Sequence, residues 1–403
     1  MFFNLSFRKI LLIGGFVILV VGLGFGIYFT FFKAPAEEAP EIVAPTVPTG
    51  VLPTSGLAKP AVPSEAAPEA VPGLPTAKTI ATADITLTAA GSATLSSDGS
   101  AMQYYDSASG LFYKVDASGA LTPLSNKQFF QVQNATWSGD KNKAVLEYPD
   151  GSNIVYDFST DKQATLPKHW EDFEFSSDNK KIISKSMGAD SNNRWLVISD
   201  TDGTNTKIVS ALGNNADKVQ VEWSPGGQVV GFSRTGDPTT EFGTQEIYLI
   251  GQNQENFKSL KVQGLSFEAK WAEEGDRILY SVTDPNNNYK PTLWVTDASG
   301  DNVGSNSVKI NLDTWSNKCV ILSGYKAYCA VPKTLDDGAG LEPSVADASD
   351  DVFYLIDLET GVSTFVGEPE SDYSVDKISV TNDENIIYFT DKATGALHQM
   401  IIK

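Results

Sequence analysis

Histidine and cysteine are nearly absent from this chain, with two of each among 403 residues. His169 and His398 alone leave little material for a Ser-His-Asp triad or a histidine-built metal site. Cys319 and Cys329 rule out a disulfide-dense scaffold and allow at most one bridge. Positive charge is short as well: 30 Lys and Arg face 50 Asp and Glu, for a net charge of −20. No segment carries the basic footprint that phosphates demand, which argues against a nucleic-acid partner. What remains is an acidic, self-repelling surface and more residues than one undivided core usually supports.

A repeated hairpin divides that length. Trp223-Ser-Pro-Gly-Gly-Gln-Val-Val-Gly-Phe232 reads as an aromatic residue closing one strand, a tight turn, and an apolar run opening the next. Related forms start at Leu95, Trp137, Phe175 and Trp271, with eroded copies at Val320 and Val380. The seven anchors are spaced 42, 38, 48, 48, 49 and 60 residues apart, and a period in the forties with one hairpin turn per unit is the signature of a β-propeller. The fold class expected is therefore all-β, a seven-bladed propeller of four-stranded antiparallel blades. Six blades are the alternative, because the Val320 and Val380 anchors are degenerate.

In the third unit the expected strands are Glu171–Phe175, Lys181–Lys185, Arg194–Ser199 and Lys207–Ser210. The last unit has three strands before the sequence stops at Lys403, while a spare strand, Asp84–Thr88, precedes the first. Pairing that spare strand as the outer member of the last blade closes the ring and leaves no broken sheet.

Before the repeats lie three different textures. Residues 1–9 form a short cytoplasmic terminus, and Ile10–Phe32 is an uncharged run flanked by Arg8, Lys9 and Lys33. It is long enough to cross a ~30 Å apolar layer at ~1.5 Å per residue. The flanking charges put its amino-terminal side in the cytoplasm and everything after Lys33 outside, in the periplasm or on the cell surface. A cleaved signal peptide is the competing reading, since Ala34-Pro35-Ala36 resembles a cleavage site, but its apolar core would be unusually long. Gly22 and Gly26 form a Gly-x-x-x-Gly step that permits weak helix dimerisation. Residues 33–78 hold ten of the twenty prolines and read as an extended, disordered stalk. The propeller occupies 79–403.

The Ser-Pro-Gly-Gly and Ser-Ser-Asp-Gly anchors, followed by strand-and-turn segments such as Trp294-Val-Thr-Asp-Ala-Ser-Gly300, resemble the repeat of TolB-like propellers. Amino-terminal propellers of prolyl-oligopeptidase-like proteins share that repeat. The likeness spans Asp84 to Lys403 and is weakest in the last two units. It implies an extracytoplasmic binding module. TolB itself carries a separate domain before its propeller, whereas this sequence has an anchor and stalk, so TolB's partners do not carry over.

Functional residues are sought where the repeat breaks its own length. Connections between second and third strands are long at Met187–Asn193, Arg234–Gln245, Asp284–Pro291 and Pro332–Asp351, and in a four-stranded blade all of them emerge on one face. Asp237, Glu241, Asp284, Asn287, Tyr289, Asp336, Asp337, Glu342, Asp347, Asp350 and Asp351 are the candidate partner-binding residues, suited to a basic partner or a divalent cation, with a solvated acidic flap as the plain alternative. No catalytic residue and no resident cofactor or metal is expected. Asp200-Thr-Asp-Gly-Thr-Asn205 begins like a calcium loop but lacks the downstream carboxylate, so a hairpin turn is preferred. The anchor tryptophans are expected to pack between blades rather than to stack a ligand. Cys319 and Cys329 flank the turn at Gly324 symmetrically, which opposes them on paired strands within disulfide reach.

The function expected is an anchored extracytoplasmic module that binds or scaffolds an envelope or surface protein or polymer; the alternative is a hydrolase or lyase working in the propeller channel. An alkaline phosphatase reporter fused after Lys78 is expected to be active, since the fusion lies outside the cytoplasm; activity of a cytoplasm-only reporter at that position would overturn the orientation.

Overall fold

Residues 22–23, 78–236 and 243–403 are described by the structure, a computed structural model. Nearly all of the expected span and stalk, together with Asp237 and Glu241, lies outside the described residues. Among the described residues no helix is long and apolar enough to cross a membrane.

The turn chemistry explains why each repeat folds as a hairpin. In five blades the Ser or Thr after the anchor residue accepts a hydrogen bond from the backbone that opens the next strand, as in Lys181 N–H to Ser176 Oγ at 3.0 Å and Val229 N–H to Ser224 Oγ at 3.1 Å. In four of them the same hydroxyl donates to an aspartate two residues on, so one side chain satisfies both limbs of the turn. Asp200 and Asp202 behave likewise: their carboxylates are taken up by Asn205 and Thr204 within their own turn. That segment is a hairpin.

Among the described residues the strands form seven sheets, each with an antiparallel core of four. The innermost strands are Gly91–Leu95, Asn134–Trp137, Trp170–Phe175, Val219–Val221, Leu265–Trp271, Cys319–Leu322 and Val375–Val380. Seven blades, not six, follow directly, and both degenerate anchors mark real hairpins. The first-expected third-unit strands recur at Trp170–Phe175, Lys181–Met187, Arg194–Asp200 and Lys207–Ala211.

The core is not one volume but a series of layers between blades. Trp271 of the fifth blade stacks on Phe232 of the fourth at 5.6 Å between ring centroids, and Trp137 of the second meets Phe112 of the first edge-on at 5.5 Å. Trp223 joins Ile183, Leu196 and Ile198 of the third blade. The anchor aromatics thus glue each blade to its predecessor, burying apolar area that a lone four-stranded sheet would expose.

Closure uses the amino-terminal strand Thr82–Ala89, which pairs antiparallel with Ala396–Ile401 in the register Thr82 to Met400 and Asp84 to His398. The strand then bulges until Ala89 meets Ala396, and Thr86 Oγ1 accepts from Leu397 N–H across the gap at 2.9 Å. A feature absent from the sequence reading is the short strand Thr79–Ile80, which adds in parallel to the outer edge of the sixth blade, Ser363–Pro369. Gly367 makes room for it: a Cβ there would meet Ile80 Cδ1 at 2.5 Å. One stretch of chain therefore covers the edges of two adjacent blades.

Cys319 and Cys329 are directly opposed on their hairpin and joined by a disulfide, with Cα atoms 4.0 Å apart. The loop it closes is short, so the loss of unfolded-state entropy is worth at most about 3 kcal/mol.

Deleting residues 79–90 is expected to abolish the cooperative melt or lower its midpoint by well over ten degrees (~3 °C per kcal/mol), because two blade edges lose their partners. Deleting 34–70 is expected to leave the melt unchanged. Equal melting temperatures for the two deletions would remove the closure from the stability argument.

Candidate functional site

The inner strands leave one edge of every blade facing the central channel, where backbone N–H and C=O groups have no further strand to pair with. Side chains from the preceding blade fill that need. Glu174 Oε2 accepts from Trp223 N–H at 2.7 Å, and Glu222 takes the backbone N–H of Trp271 in the same way one blade on. Lys270, one blade further, donates to the Cys319 carbonyl at 2.7 Å. Gln220 grips Ala269 reciprocally, donating to its carbonyl at 2.7 Å and accepting from its N–H at 2.9 Å. Glu174, Glu222 and Lys270 each sit immediately before an anchor aromatic, so the latch repeats with the blades.

These groups line the channel in half-buried surroundings. Burial, and next the charge of Glu222, holds the Glu174 carboxyl well above the ordinary carboxylate range. Burial raises Glu222 to about 7 despite the opposing pull of Lys270. Glu268 is raised by burial as well, and burial lowers the Lys270 ammonium against the attraction of Glu222 and Glu268. The channel carboxyls therefore hold their protons to higher pH than free carboxyls do.

At one end of the channel lies a cavity of about 560 Å³. Its floor is channel, including Gln220 and Glu268; its walls are Arg234, Phe267, Trp315, Lys318, Val375 and Lys377; its roof is Gly340, Leu341, Pro343 and Ala346 from the connection 333–350. This connection is strapped over three blades. Gly338 and Gly340 N–H donate to the Asn288 and Tyr289 carbonyls at 2.8 Å each, and Thr283 Oγ1 donates to Gly340 O at 2.7 Å. A Cβ at Gly340 would lie 2.7 Å from both Thr283 Oγ1 and the Tyr289 carbonyl, so only glycine fits that close approach. At its other end Asp347 pairs with Lys392 of the seventh blade.

The acidic candidates do not act as one cluster. Asp351 is fully buried, accepting from Lys318 Nζ at 2.7 Å and Val375 N–H at 2.6 Å, which makes it a structural tie. Asp284 is also buried and caps its own turn through Asn286 N–H at 2.8 Å, and Asn287 donates to Asp313. Asp351 and Asp284 are thus held inside the protein by the packing of their loops, while Asn287 stays half-buried with its amide engaged. Asp336, Asp337 and Glu342 stay exposed at the outer rim, with Asp337 3.7 Å from Lys290 and Glu342 accepting from Ser344. Tyr289 stands exposed beside Asn288 on the same rim. Asp347 and Asp350 face a separate cleft between the sixth and seventh blades. Among the described residues, no three His, Cys, Asp or Glu are grouped to hold a metal ion.

Sequence reasoning passed over Trp315 and Lys318, which come from a connection between blades rather than within one, and Lys377, which lies on the inner strand of the seventh blade. The eight-residue gap between Ile310 and Cys319 was the available signal, because connections between blades emerge on the same face as those between second and third strands. His398 was missed too: its Nδ1 lies 2.9 Å from Asp84 Oδ1, a pairing across 314 positions that only ring closure creates.

Fold and channel place the protein in the class of seven-bladed propellers built from up-and-down, four-stranded blades. Solved structures agree with that class. An oligogalacturonate lyase in complex with manganese is similar over 81% of this chain and 96% of its own, at 13% identity and a TM-score of 0.53. The Cps50 (Swd1) propeller domain of Myceliophteria thermophila is similar over 80% of this chain and all of its own, with 11% identity and a TM-score of 0.54. The tricorn protease shares 10% identity over 80% of this chain and 34% of its own, with a TM-score of 0.50. At such identities the likeness is one of fold alone. No family model matches the chain, and no curated protein does.

The channel carboxylates set a pH dependence. Glu222 holds its proton more tightly folded than unfolded, so its contribution to stability is complete below the ordinary 4.5 and is lost as pH rises to about 7. Turn aspartates such as Asp178 and Asp383 are held low by their hydrogen bonds and titrate beneath this window. The melting temperature is expected to fall by roughly a few degrees between pH 5 and 7.5, and Glu222→Gln to flatten that fall. An unchanged slope in the variant would remove Glu222 as its source.

Proposed function

We propose that the chain is a membrane-anchored, extracytoplasmic recognition module, akin to TolB-like propellers in role, that binds an envelope or surface protein or polymer through the face bearing the 333–350 strap. The observation that carries this reading is the roofed cavity at the channel mouth. Packing of the blades requires neither the strap nor the cavity, yet the strap is fixed at both ends across three blades. Its outer surface leaves Leu341 55% and Val345 46% exposed, beside the exposed Tyr289. Aliphatic and aromatic groups held rigidly at a cavity rim suit recognition, because little ordering entropy remains to be lost on binding. The expected membrane span and stalk support a setting in which such a face is held away from the bilayer.

A second reading, a hydrolase or lyase in the channel, draws on Glu222, whose pKa of about 7 suits a general base or acid. Against it, Glu174, Glu222 and Lys270 are each already engaged as a blade-to-blade latch, and neither histidine reaches the channel cavity. Recognition is the better supported reading.

Full-length protein bearing Leu341→Asp and Val345→Asp is expected to recover its partner from envelope extract at least about tenfold less efficiently than the unaltered chain, with an unchanged melting temperature. Equal recovery, together with loss on substituting exposed residues of the opposite face, such as Asp202 and Lys180, would place recognition elsewhere.

A further inference from the structure

A second cleft, of about 490 Å³, opens on the same face between the sixth and seventh blades. It is walled by Asp84, Asp350, Asp372, Tyr373, Ser374 and His398, contributed by the closing strand, the strap, the connection into the seventh blade, and that blade's third strand. Every polar side chain among these either accepts hydrogen bonds or is able to.

Two buried atoms of this lining meet no protein partner: His398 Nε2 and Ser374 Oγ. The His398 side chain is 7% exposed, and its Nδ1 is 2.9 Å from Asp84 Oδ1. A carboxylate at that distance accepts a hydrogen bond from Nδ1–H, and in the tautomer so selected Nε2 carries an unshared lone pair beside the cleft. A buried acceptor without a donor costs about 1–3 kcal/mol, so one that persists calls for something to satisfy it. The carboxylates show the same want. Burial, and next the charge and hydrogen-bonding contact of Asp372, hold the Asp350 carboxyl above the ordinary range, and among the described residues neither Asp350 nor Asp372 has a Lys or Arg within salt-bridge reach. Lysines at the neighbouring positions are paired elsewhere: Lys318 to Asp351, Lys333 to Glu368 and Lys392 to Asp347, with Lys333 adding a lesser attraction on Asp350 that burial and Asp372 outweigh.

The occupant must therefore bring several N–H donors and positive charge into one place. A planar guanidinium does so with five donors in a fixed fork and can stack on an aromatic face, here that of Tyr373. A metal ion fits less well, since the acidic groups and the histidine are not gathered as three ligands around one point. We propose that this cleft receives an arginine side chain of a basic partner segment docked on the strap-bearing face, its guanidinium bridging Asp350 and Asp372 and donating toward His398 Nε2. The proposal rests on the recognition reading given above and names the chemistry its partner presents.

Full-length protein titrated calorimetrically with a tetra-arginine peptide is expected to bind it, and Asp350→Asn with Asp372→Asn to weaken binding at least about tenfold while leaving the melting temperature equal or higher, because two like charges are removed. Asp336→Asn with Asp337→Asn removes the same charge from the outer rim and is expected to change binding less than about twofold. Equal weakening by both pairs would mean general attraction to an acidic surface and would overturn the site. So would no binding at all, tetra-lysine binding as tightly as tetra-arginine, or displacement of the peptide by one equivalent of calcium or manganese. The partner recovery that tests the strap is read separately: loss there with intact peptide binding would sink the recognition reading alone, and the reverse would sink only the cleft.

Discussion

Every blade of this protein is a sheet with two open edges, and the structure depends on leaving none of them unpaired where it matters. A ring of seven such sheets is stable only when the last is tied to the first. Here Thr82–Ala89 supplies the outer strand of the seventh blade, and the short strand just upstream, Thr79–Ile80, covers the sixth. A chain that fails to close keeps its blade-to-blade layers but exposes one apolar interface at each end, as in any open array of repeats. Closure also creates chemistry, since the Asp84–His398 pair exists only because strands 314 positions apart become neighbours.

The inner edges obey the same constraint by another route. No strand lines the channel beyond Trp170–Phe175, Val219–Val221 or Leu265–Trp271, so side chains of one blade satisfy the backbone of the next. Using carboxylates for this concentrates like charge in a narrow space, with Glu174 and Glu222 in neighbouring blades and Lys270 offsetting Glu222 but not Glu174. The raised pKa values follow from burial first and from that crowding second. They are a by-product of holding the ring together, which is why an unusual pKa in this channel is weak grounds for catalysis.

One face of the disc is regular and the other is not. Hairpin turns between first and second strands repeat the same Ser/Thr–Asp arrangement in blade after blade, and their polar groups are consumed internally. On the opposite face the 333–350 strap crosses blade boundaries, roofs a cavity and leaves Leu341 and Val345 in water. The acidic residues that drew attention to this strap divide by fate. Asp351 and Asp347 are matched to lysines, Asp336 and Asp337 sit at the rim, and Asp350 faces a cleft whose lining includes the unpartnered Ser374 Oγ and His398 Nε2. Charge count alone gave a single acidic patch; packing split it into a tie, a rim and a pocket.

The repeat was legible in the sequence because it is local. Seven anchors, the turn residues beside them and the alternating strands are set within spans of ten or twenty residues, and the hairpin hydrogen bonds they form need no distant partner. Even the closing strand could be inferred, from a count of strands that left one over at the start and one missing at the end. Opposed cysteines about a single turn were legible for the same reason. What the sequence could not decide is which side chains meet across blades. Lys318 and Asp351, Asp347 and Lys392, Asp84 and His398, Glu174 and Trp223 are separated by 33, 45, 314 and 49 positions, and their pairing depends on blade rotation, loop path and register. A hydrogen bond or ion pair is short-ranged and directional, so composition states that the groups are present while only the tertiary structure brings a particular donor to a particular acceptor.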